Sequence, residues 1–246
     1  MKQQEFKQPD LFQDCNAANK RRGASGFFCP GTGGSPDNMK ESALFELSAS
    51  AFYSVLHARM SELPIEGEIS RFIEKVLSAS ARTADAKSAS ARNAADRAAS
   101  DRGDPDTAVV LGAAYKVQHE IHRLTGFLRF SPDDEGMYIA RCGPDYFILP
   151  ALADHFFLRF GETAWAIIDE KREVCLLREK GEPPKLVALQ AFLSSAPGKE
   201  GAADAWEDLW RLYHRSINNE GKKNLRLQRQ FMPERYHKYL TEKATD

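Results

Sequence analysis

The stretch "TAVVLGAAYKVQHEIHRLT", from Thr107 to Thr125, decides the fold because its helical pattern is strong and continuous. Its apolar residues recur at spacings of three and four, which places them on one face of a helix. They are Val110, Ala113, Ala114, Val117, Ile121 and Leu124. Gly126 follows at once and is suited to end the helix. The pattern therefore predicts one long amphipathic helix that packs against a neighbouring layer.

The segments after this helix predict two hairpins with a helix between them. The strings "FLRF" (127–130) and "MYIARC" (137–142) flank a turn, and so do "AWAIID" (164–169) and "EVCLLRE" (173–179). A helix from about residue 146 to 160 lies between the hairpins. Hairpins beside helices predict an α+β fold, in which two β-hairpins form a small antiparallel sheet packed against several amphipathic helices.

A last amphipathic helix is predicted from about residue 202, after a short segment, "KLVALQAFLSS", and a loop rich in proline and glycine. Its apolar face carries several large residues at helical spacing. They are Trp206, Leu209, Trp210, Tyr213 and Ile217. We expect this face to be buried against the rest of the domain.

Composition divides the chain into four regions. Residues 1–40 are rich in Gly, Pro and Ser without a period and predict an irregular or disordered tail, whereas residues 41–77 carry helical stripes. Residues 78–106 are mostly Ala, Ser, Arg and Asp, and predict a linker or a solvated helix. Residues 107–242 then form the predicted α+β domain.

The overall composition is that of a soluble protein of the cytoplasm. The formal net charge is -1, which argues against a wholly basic coat protein but allows a local basic patch. No apolar run reaches the ~18 residues of a membrane span, and the N-terminus lacks the apolar core of a secretory signal. None of the four cysteines forms a CxxC pair, so we expect reduced structural thiols and neither a bound metal nor a cofactor.

The C-terminal stretch "KKNLRLQRQFMPERYHKYL" (222–240) is locally basic. Residues 221–240 contain six basic residues and one acidic residue, a local charge of +5; the basic residues are Lys222, Lys223, Arg226, Arg229, Arg235 and Lys238. Basic residues interleaved with Gln and Tyr suit contact with the phosphates of a nucleic acid. The alternative is an ordinary solvated basic face.

Two further groups of polar residues could carry chemistry. Tyr115, His119 and His122 follow one another on the polar side of the 107–125 helix, and a histidine there could act as an acid or base. A polar helix face is the simpler interpretation, and a half-buried histidine is the simpler one for His155. Asp169 and Arg172 are suited to close a hairpin turn.

Five separated strings resemble, in order, an uncharacterised bacterial family associated with DNA metabolism and DNA repair. They are "EIHRLTGFLRF" (120–130), "PDYFILPALADHFFLRF" (144–160), "WAIIDEKR" (165–172), "LWRLYHRSI" (209–217) and "KNLRLQRQFMPERYHKYLTE" (223–242). Members of this family are typically encoded beside a radical SAM protein resembling DNA-repair enzymes. In some proteins the same domain is joined to a uracil-DNA glycosylase-like domain.

The resemblance implies DNA and a radical SAM repair-type protein as partners. It also implies that certain polar positions have a function, and that these groups converge in one cleft. Those that accompany the basic segment as supporting residues are Arg129, Arg159, Arg172, Asn224, Gln228 and Tyr236.

Three functions are consistent with these patterns. The first is a DNA-binding accessory partner of a radical SAM DNA-repair enzyme. The second is a DNA-processing enzyme, such as a glycosylase, lyase or nuclease, with acid–base groups supplied by Glu120, His122, His155 and Asp169. The third is a protein–protein adaptor that makes no contact with nucleic acid, in which the helix Trp206–Ile217 is an interface.

Overall fold

The computed structural model of the chain describes residues 36–83, 88–195, 205–217, 219–222 and 224–243. Most of the predicted N-terminal tail and the predicted nucleic-acid contact Lys223 lie outside the described residues. The first described elements are helices: α1 (Pro36–Leu47), α2 (Ala49–Met60), α3 (Glu66–Ala81), α4 (Ala89–Ser100) and α5 (Pro105–Phe127).

A five-stranded sheet with two helices follows. Its elements are β1 (Phe130–Pro132), β2 (Tyr138–Cys142), α6 (Leu149–Phe160), β3 (Trp165–Asp169), β4 (Val174–Arg178), β5 (Lys185–Ala188) and α7 (Leu189–Ser195). The C-terminal elements are α8 (Ala205–Ile217), a 3-10 helix (Glu220–Lys222), α9 (Leu225–Phe231) and a second 3-10 helix (Glu234–Tyr239).

The long helix α5 forms as its sequence predicts and connects two hydrophobic cores. Asp104 caps its start, where its carboxylate accepts a hydrogen bond of 2.9 Å from the backbone N–H of Thr107. Val110 contributes to a core made with α1 to α4, whereas Val117 and Leu124 belong to the core beneath the sheet. The helix therefore holds the helical layer and the sheet layer together.

The described residues between 88 and 106 have a more specific arrangement than a linker or a solvated helix. Helix α4 buries Ala91, Ala95 and Ala99 fully or almost fully, while its charged residues face solvent. Alanines at a spacing of four make a narrow apolar stripe, and this stripe packs closely on α3. Composition concealed this face because alanine contributes little to any measure of hydrophobicity.

The α+β class is confirmed, but the sheet is not a simple pair of antiparallel hairpins. The strand order is β1-β2-β3-β4-β5, and β2 pairs with β3 in parallel while the other neighbours are antiparallel. Helix α6 causes this difference, because a helix between two neighbouring strands returns the chain to run in the same direction. The segment "KLVALQAFLSS" also supplies the fifth strand and α7.

Both faces of the sheet are covered at its central strand, since every residue of β3 is buried, whereas the edge strand β5 is mostly exposed. Trp165 and Ile167 face the core shared with α5 and α6, and Ile168 faces a second cluster that includes Phe192 of α7. The thiols of Cys142 and Cys175 are also buried on β2 and β4, and burial raises the pKa of both. No helix in the described ranges is long and apolar enough to span a membrane.

The predicted burial of the α8 apolar face is wrong for the side chains that the structure describes. Leu209, Trp210, Tyr213 and Ile217 are 53%, 40%, 50% and 59% exposed. The side chain of Trp206 lies outside the described residues. Periodicity established that α8 has an apolar side, but it did not establish that this domain covers it.

The buried imidazole of His57 predicts a loss of stability in mild acid. His57 is 3% exposed on α2, where its Nδ1 lies 3.2 Å from the Gln118 amide nitrogen, and burial lowers its pKa to about 4. The unfolded chain, in which the ordinary pKa is about 6.5, binds more protons than the folded chain between these two values. We therefore expect His57 to reduce the free energy of unfolding by about 2 kcal/mol between pH 7 and pH 5.

Urea unfolding of the native protein and of His57→Gln at both pH values measures this contribution. The decrease in the free energy of unfolding from pH 7 to pH 5 should be smaller in His57→Gln than in the native protein. It should be unchanged in His122→Gln, which removes an exposed imidazole. The same pH dependence in His57→Gln and in the native protein would contradict the assignment.

Candidate functional site

Polar side chains converge where the parallel strands β2 and β3 end. Their carboxyl ends lie side by side, since Cys142 is in register with Asp169. The loop 143–146 leaves β2, and the turn 170–173 leaves β3. The 3-10 helix Glu234–Tyr239 packs on this edge so closely that a Cβ on Gly143 would lie 2.6 Å from the Tyr239 hydroxyl. We call the polar residues here the strand-end cluster; they are Glu120, Asp145, Asp169, Arg172, Arg235 and Tyr236.

Glu120 ties three segments of the chain together. Its side chain, from α5, is 2% exposed and accepts hydrogen bonds of 2.9 Å from the backbone N–H groups of Asp145 and Tyr146. The Tyr236 hydroxyl also donates to it. Burial raises the pKa of Tyr236, and the hydrogen bond to Glu120 raises it further. The carboxylate is thus surrounded by donors that fix the loop 143–146 and the C-terminal segment.

Asp169 and Arg172 close the β3–β4 turn, as their sequence predicts. The fully buried Asp169 carboxylate accepts from the backbone N–H groups of Lys171 and Arg172, and it lies 3.1 Å from Arg172 Nη1. The same guanidinium donates to the carbonyls of Pro144 and Asp145 and pairs with Glu62. Burial lowers the pKa of Arg172, but its hydrogen bonds to Glu62 and Asp169 outweigh burial and raise it.

Two residues of the predicted nucleic-acid surface are paired with carboxylates at this edge. Arg235 Nη2 lies 3.0 Å from an oxygen of Asp145, and Lys238 Nζ lies 3.3 Å from an oxygen of Glu170. The Tyr239 hydroxyl donates to the same Glu170. Arg235 and Lys238 therefore anchor the C-terminal segment to the sheet, which leaves them less available to an external phosphate.

The structure brings Glu120 and Asp169 into one cluster but leaves both imidazoles outside it. His122 is exposed, because a residue two positions after Glu120 lies about 200° around the helix. His155 is half-buried on α6 and packs edge-on against Phe156, and its Nε2 has no hydrogen-bond partner within the described part of the chain. Burial and then the nearby Arg159 lower the pKa of His155. A catalytic role for this set of four residues stays a prediction.

The remaining predicted supporting residues have separate tasks. Arg129 forms an ion pair of 2.7 Å with Glu242, and the Asn224 side chain caps α9 by accepting from the N–H of Leu227 at 3.0 Å. The Gln228 side chain is half-buried, whereas Arg159 is exposed on α6. Within the described ranges, no group of three or more His, Cys, Asp or Glu side chains is placed to hold a metal ion.

A family described as a domain of unknown function, DUF4130, matches residues 76–242. The chain belongs to the DUF4130 family. The match runs from the end of α3 to Glu242, so the DUF4130 region contains the whole strand-end cluster. Glu62, the partner of Arg172, precedes the matched residues. No curated protein and no solved structure matches the chain.

Within the DUF4130 region, three described basic side chains of the basic segment are exposed to solvent and are not attached to the sheet edge. Lys222 and Arg226 are exposed and have no ion pair with any acid among the described residues, and Arg229 pairs with the exposed Glu234 at 3.1 Å. Glu234 belongs to the same C-terminal segment, so this pair does not attach Arg229 to the sheet edge. The available part of the predicted nucleic-acid surface therefore consists of Arg226 and Arg229 on α9 and of Lys222 just before it. We call these three residues the basic face of α9.

Sequence reasoning missed the acidic partners that divide the basic segment into anchored and available cations. Glu170 lies 68 residues from Lys238. Outside the basic segment, Glu242 likewise lies 113 residues from its partner Arg129. Pairings at such separations leave no local pattern. Asp145 had one signal, its place in the string "PDYFILPALADHFFLRF", but nothing in that string indicates which cation it meets.

Proposed function

We propose that this protein is a nucleic-acid-binding accessory protein of DNA metabolism or repair, which contacts phosphates through the basic face of α9. The exposure of Arg226 and Arg229 on α9, and of Lys222 in the 3-10 helix that precedes it, carries the proposal. The resemblance to a DNA-associated bacterial family supports DNA as the nucleic acid. It also supports a radical SAM repair-type protein as the partner, and we propose the cytoplasm as the location.

The physical basis is a positive surface on a protein with almost no net charge. Cationic side chains that replace the counterions of a nucleic acid give an affinity that falls steeply with salt and depends little on sequence. Arg226 and Arg229 lie three residues apart on α9, so that their guanidinium groups extend from the same side of the helix. The anchored Arg235 and Lys238 hold the segment that follows α9 against the strand-end cluster.

Fluorescence anisotropy with a labelled 20-nucleotide DNA, titrated between 50 and 200 mM salt, tests the proposal. Three phosphate contacts predict a slope of log affinity against log salt of about -2 to -3. We expect Arg226→Ala to reduce the magnitude of this slope by about 1 and to weaken binding at every salt concentration. The matched control, Arg92→Ala, removes an exposed arginine of α4 and should change neither quantity. An affinity that does not depend on salt would remove the proposal.

A protein–protein adaptor is the second candidate function, because the exposed apolar face of α8 favours it. Leu209, Leu212 and Ile217 are all more than half exposed, and apolar anchors at this spacing are typical of a helix that binds in a groove of another protein. Co-expression with a radical SAM repair-type protein, the partner that the resemblance implies, tests this function. The adaptor function would be established if the native protein forms a stable complex and does not bind DNA, and if Leu212→Glu loses that complex.

A further inference from the structure

Two exposed aromatic rings on α8 lie next to each other in a tilted arrangement. Trp210 and Tyr213 are 40% and 50% exposed, and their ring centroids lie 5.8 Å apart with an interplanar angle of 37°. Large exposed aromatic groups carry a cost in water, and adjacent ones mark a binding surface more often than isolated ones do. Single exposed apolar residues are common on protein surfaces, but the exposure of two adjacent aromatic rings indicates a binding surface.

The indole of Trp210 is fixed in orientation by neighbours outside α8. Its Nε1 donates a hydrogen bond of 3.0 Å to Glu242, and the Arg129 guanidinium lies 5.7 Å from the centre of its ring. Glu242 is itself held by Arg129, and its side chain is only 4% exposed. Because the Trp210 ring is already oriented, its side chain would lose little conformational entropy when a flat ligand binds to it.

The aromatic pair and the basic face of α9 are attached to the same end of α5. Arg129 follows the last turn of α5 and contacts Trp210, while Arg123 in that turn donates at 3.3 Å to the carbonyl of Gln230 in α9. Aromatic faces and positive charge thus lie around one end of the helix that crosses both layers.

We propose that Trp210 and Tyr213 form a base-stacking platform for single-stranded nucleic acid. This inference rests on the proposed function and names the form of nucleic acid that the surface takes. A single strand exposes the faces of its bases, which stack on aromatic side chains while cations hold the phosphates. A duplex keeps those faces inside its own stack, so only the phosphates would be used. The exposed cations of the basic face of α9, which is attached to the same end of α5, favour a polyanion over an apolar protein groove.

The experiment compares three labelled probes: a 20-nucleotide thymidine strand, an abasic strand of the same length, and a hairpin duplex. We expect the thymidine strand to bind at least tenfold more tightly than the abasic strand. Tyr213→Ala should lose about tenfold for the thymidine strand and almost nothing for the abasic strand, and Trp210→Ala should behave alike. Leu158→Ala, which removes an exposed apolar side chain of α6, is the matched control.

The outcomes separate this inference from the proposed function. Equal binding of the base-bearing and abasic strands overturns the platform while the phosphate contacts of α9 stand. Binding of none of the probes overturns both. A change in sedimentation of the aromatic variants, without any selective loss for the base-bearing strand, would instead assign the rings to an interface between proteins. Circular dichroism of each variant verifies that it is folded, and Trp210→Phe retains a ring where Trp210→Ala is unstable.

Discussion

Glu120→Ala is expected to lower the free energy of unfolding by about 3 kcal/mol. The substitution leaves the amides of Asp145 and Tyr146 and the hydroxyl of Tyr236 without their acceptor. Each is a buried or partly buried donor, and an unsatisfied buried donor costs about 1–3 kcal/mol before any relaxation. Loss of one carboxylate should therefore loosen both the loop 143–146 and the C-terminal segment.

Urea unfolding measures this loss, and hydrogen exchange locates it. The amide protons of Asp145 and Tyr146 should exchange faster in Glu120→Ala than in the native protein, whereas those of the distant helix α4 should change only through global stability. Glu46→Ala, at an exposed glutamate of α1, is the matched control and should lie within about 0.5 kcal/mol of the native protein. A loss below about 1 kcal/mol in Glu120→Ala would show that this carboxylate does not organise the cluster.

Arg172→Ala is expected to cost about 3 kcal/mol, because it leaves the Asp169 carboxylate buried without its cation. Asp169 is fully buried, and in the described part of the chain Arg172 is the cation that pairs with it. The substitution also removes the donor to the carbonyls of Pro144 and Asp145. The turn after β3 and the loop after β2 would then lose the side chain that joins them.

A second substitution distinguishes the buried charge from simple loss of packing. In Asp169→Asn/Arg172→Ala the charge is gone, while the asparagine oxygen can still accept from the turn amides, so part of the stability should return. Lys171→Ala, at an exposed residue of the same turn, should have little effect. If the double variant is as unstable as the two single losses added together, the charge of Asp169 is not what Arg172 stabilises.

Local patterns predicted several elements of this fold and some of its local contacts, but they missed β5 and placed the first strand at residues 127–130 instead of Phe130–Pro132. The spacing in residues 107–125 predicted α5, and the short apolar strings predicted the strands β2, β3 and β4, because periodicity reflects which side of an element faces away from water. Asp169 and Arg172 were correctly placed in a turn since they interact within three residues. The same logic failed for α4, where alanine stripes were too weak to indicate a buried face.

The candidate site was only partly predictable, because its contacts join distant parts of the chain. Tyr236 lies 116 residues from Glu120, and no spacing rule connects them. The four residues considered for catalysis were grouped by residue type and by the family resemblance, whereas helix geometry places His122 on a different side of α5 from Glu120. The basic segment was evident from composition, but the separation of Arg235 and Lys238 from the basic face of α9 depended on acids elsewhere.

The sequence by itself determined the α+β class, the long helix between the layers and the positive charge of the C-terminal segment. Each of these depends only on the types and spacing of residues that are close in the chain. Only the tertiary structure decided the parallel pairing of β2 with β3, the anchoring of two cations on Asp145 and Glu170, and the exposure of the α8 apolar face. Periodicity shows which face of an element is apolar, whereas the partner that covers or pairs with that face is chosen by residues far along the chain.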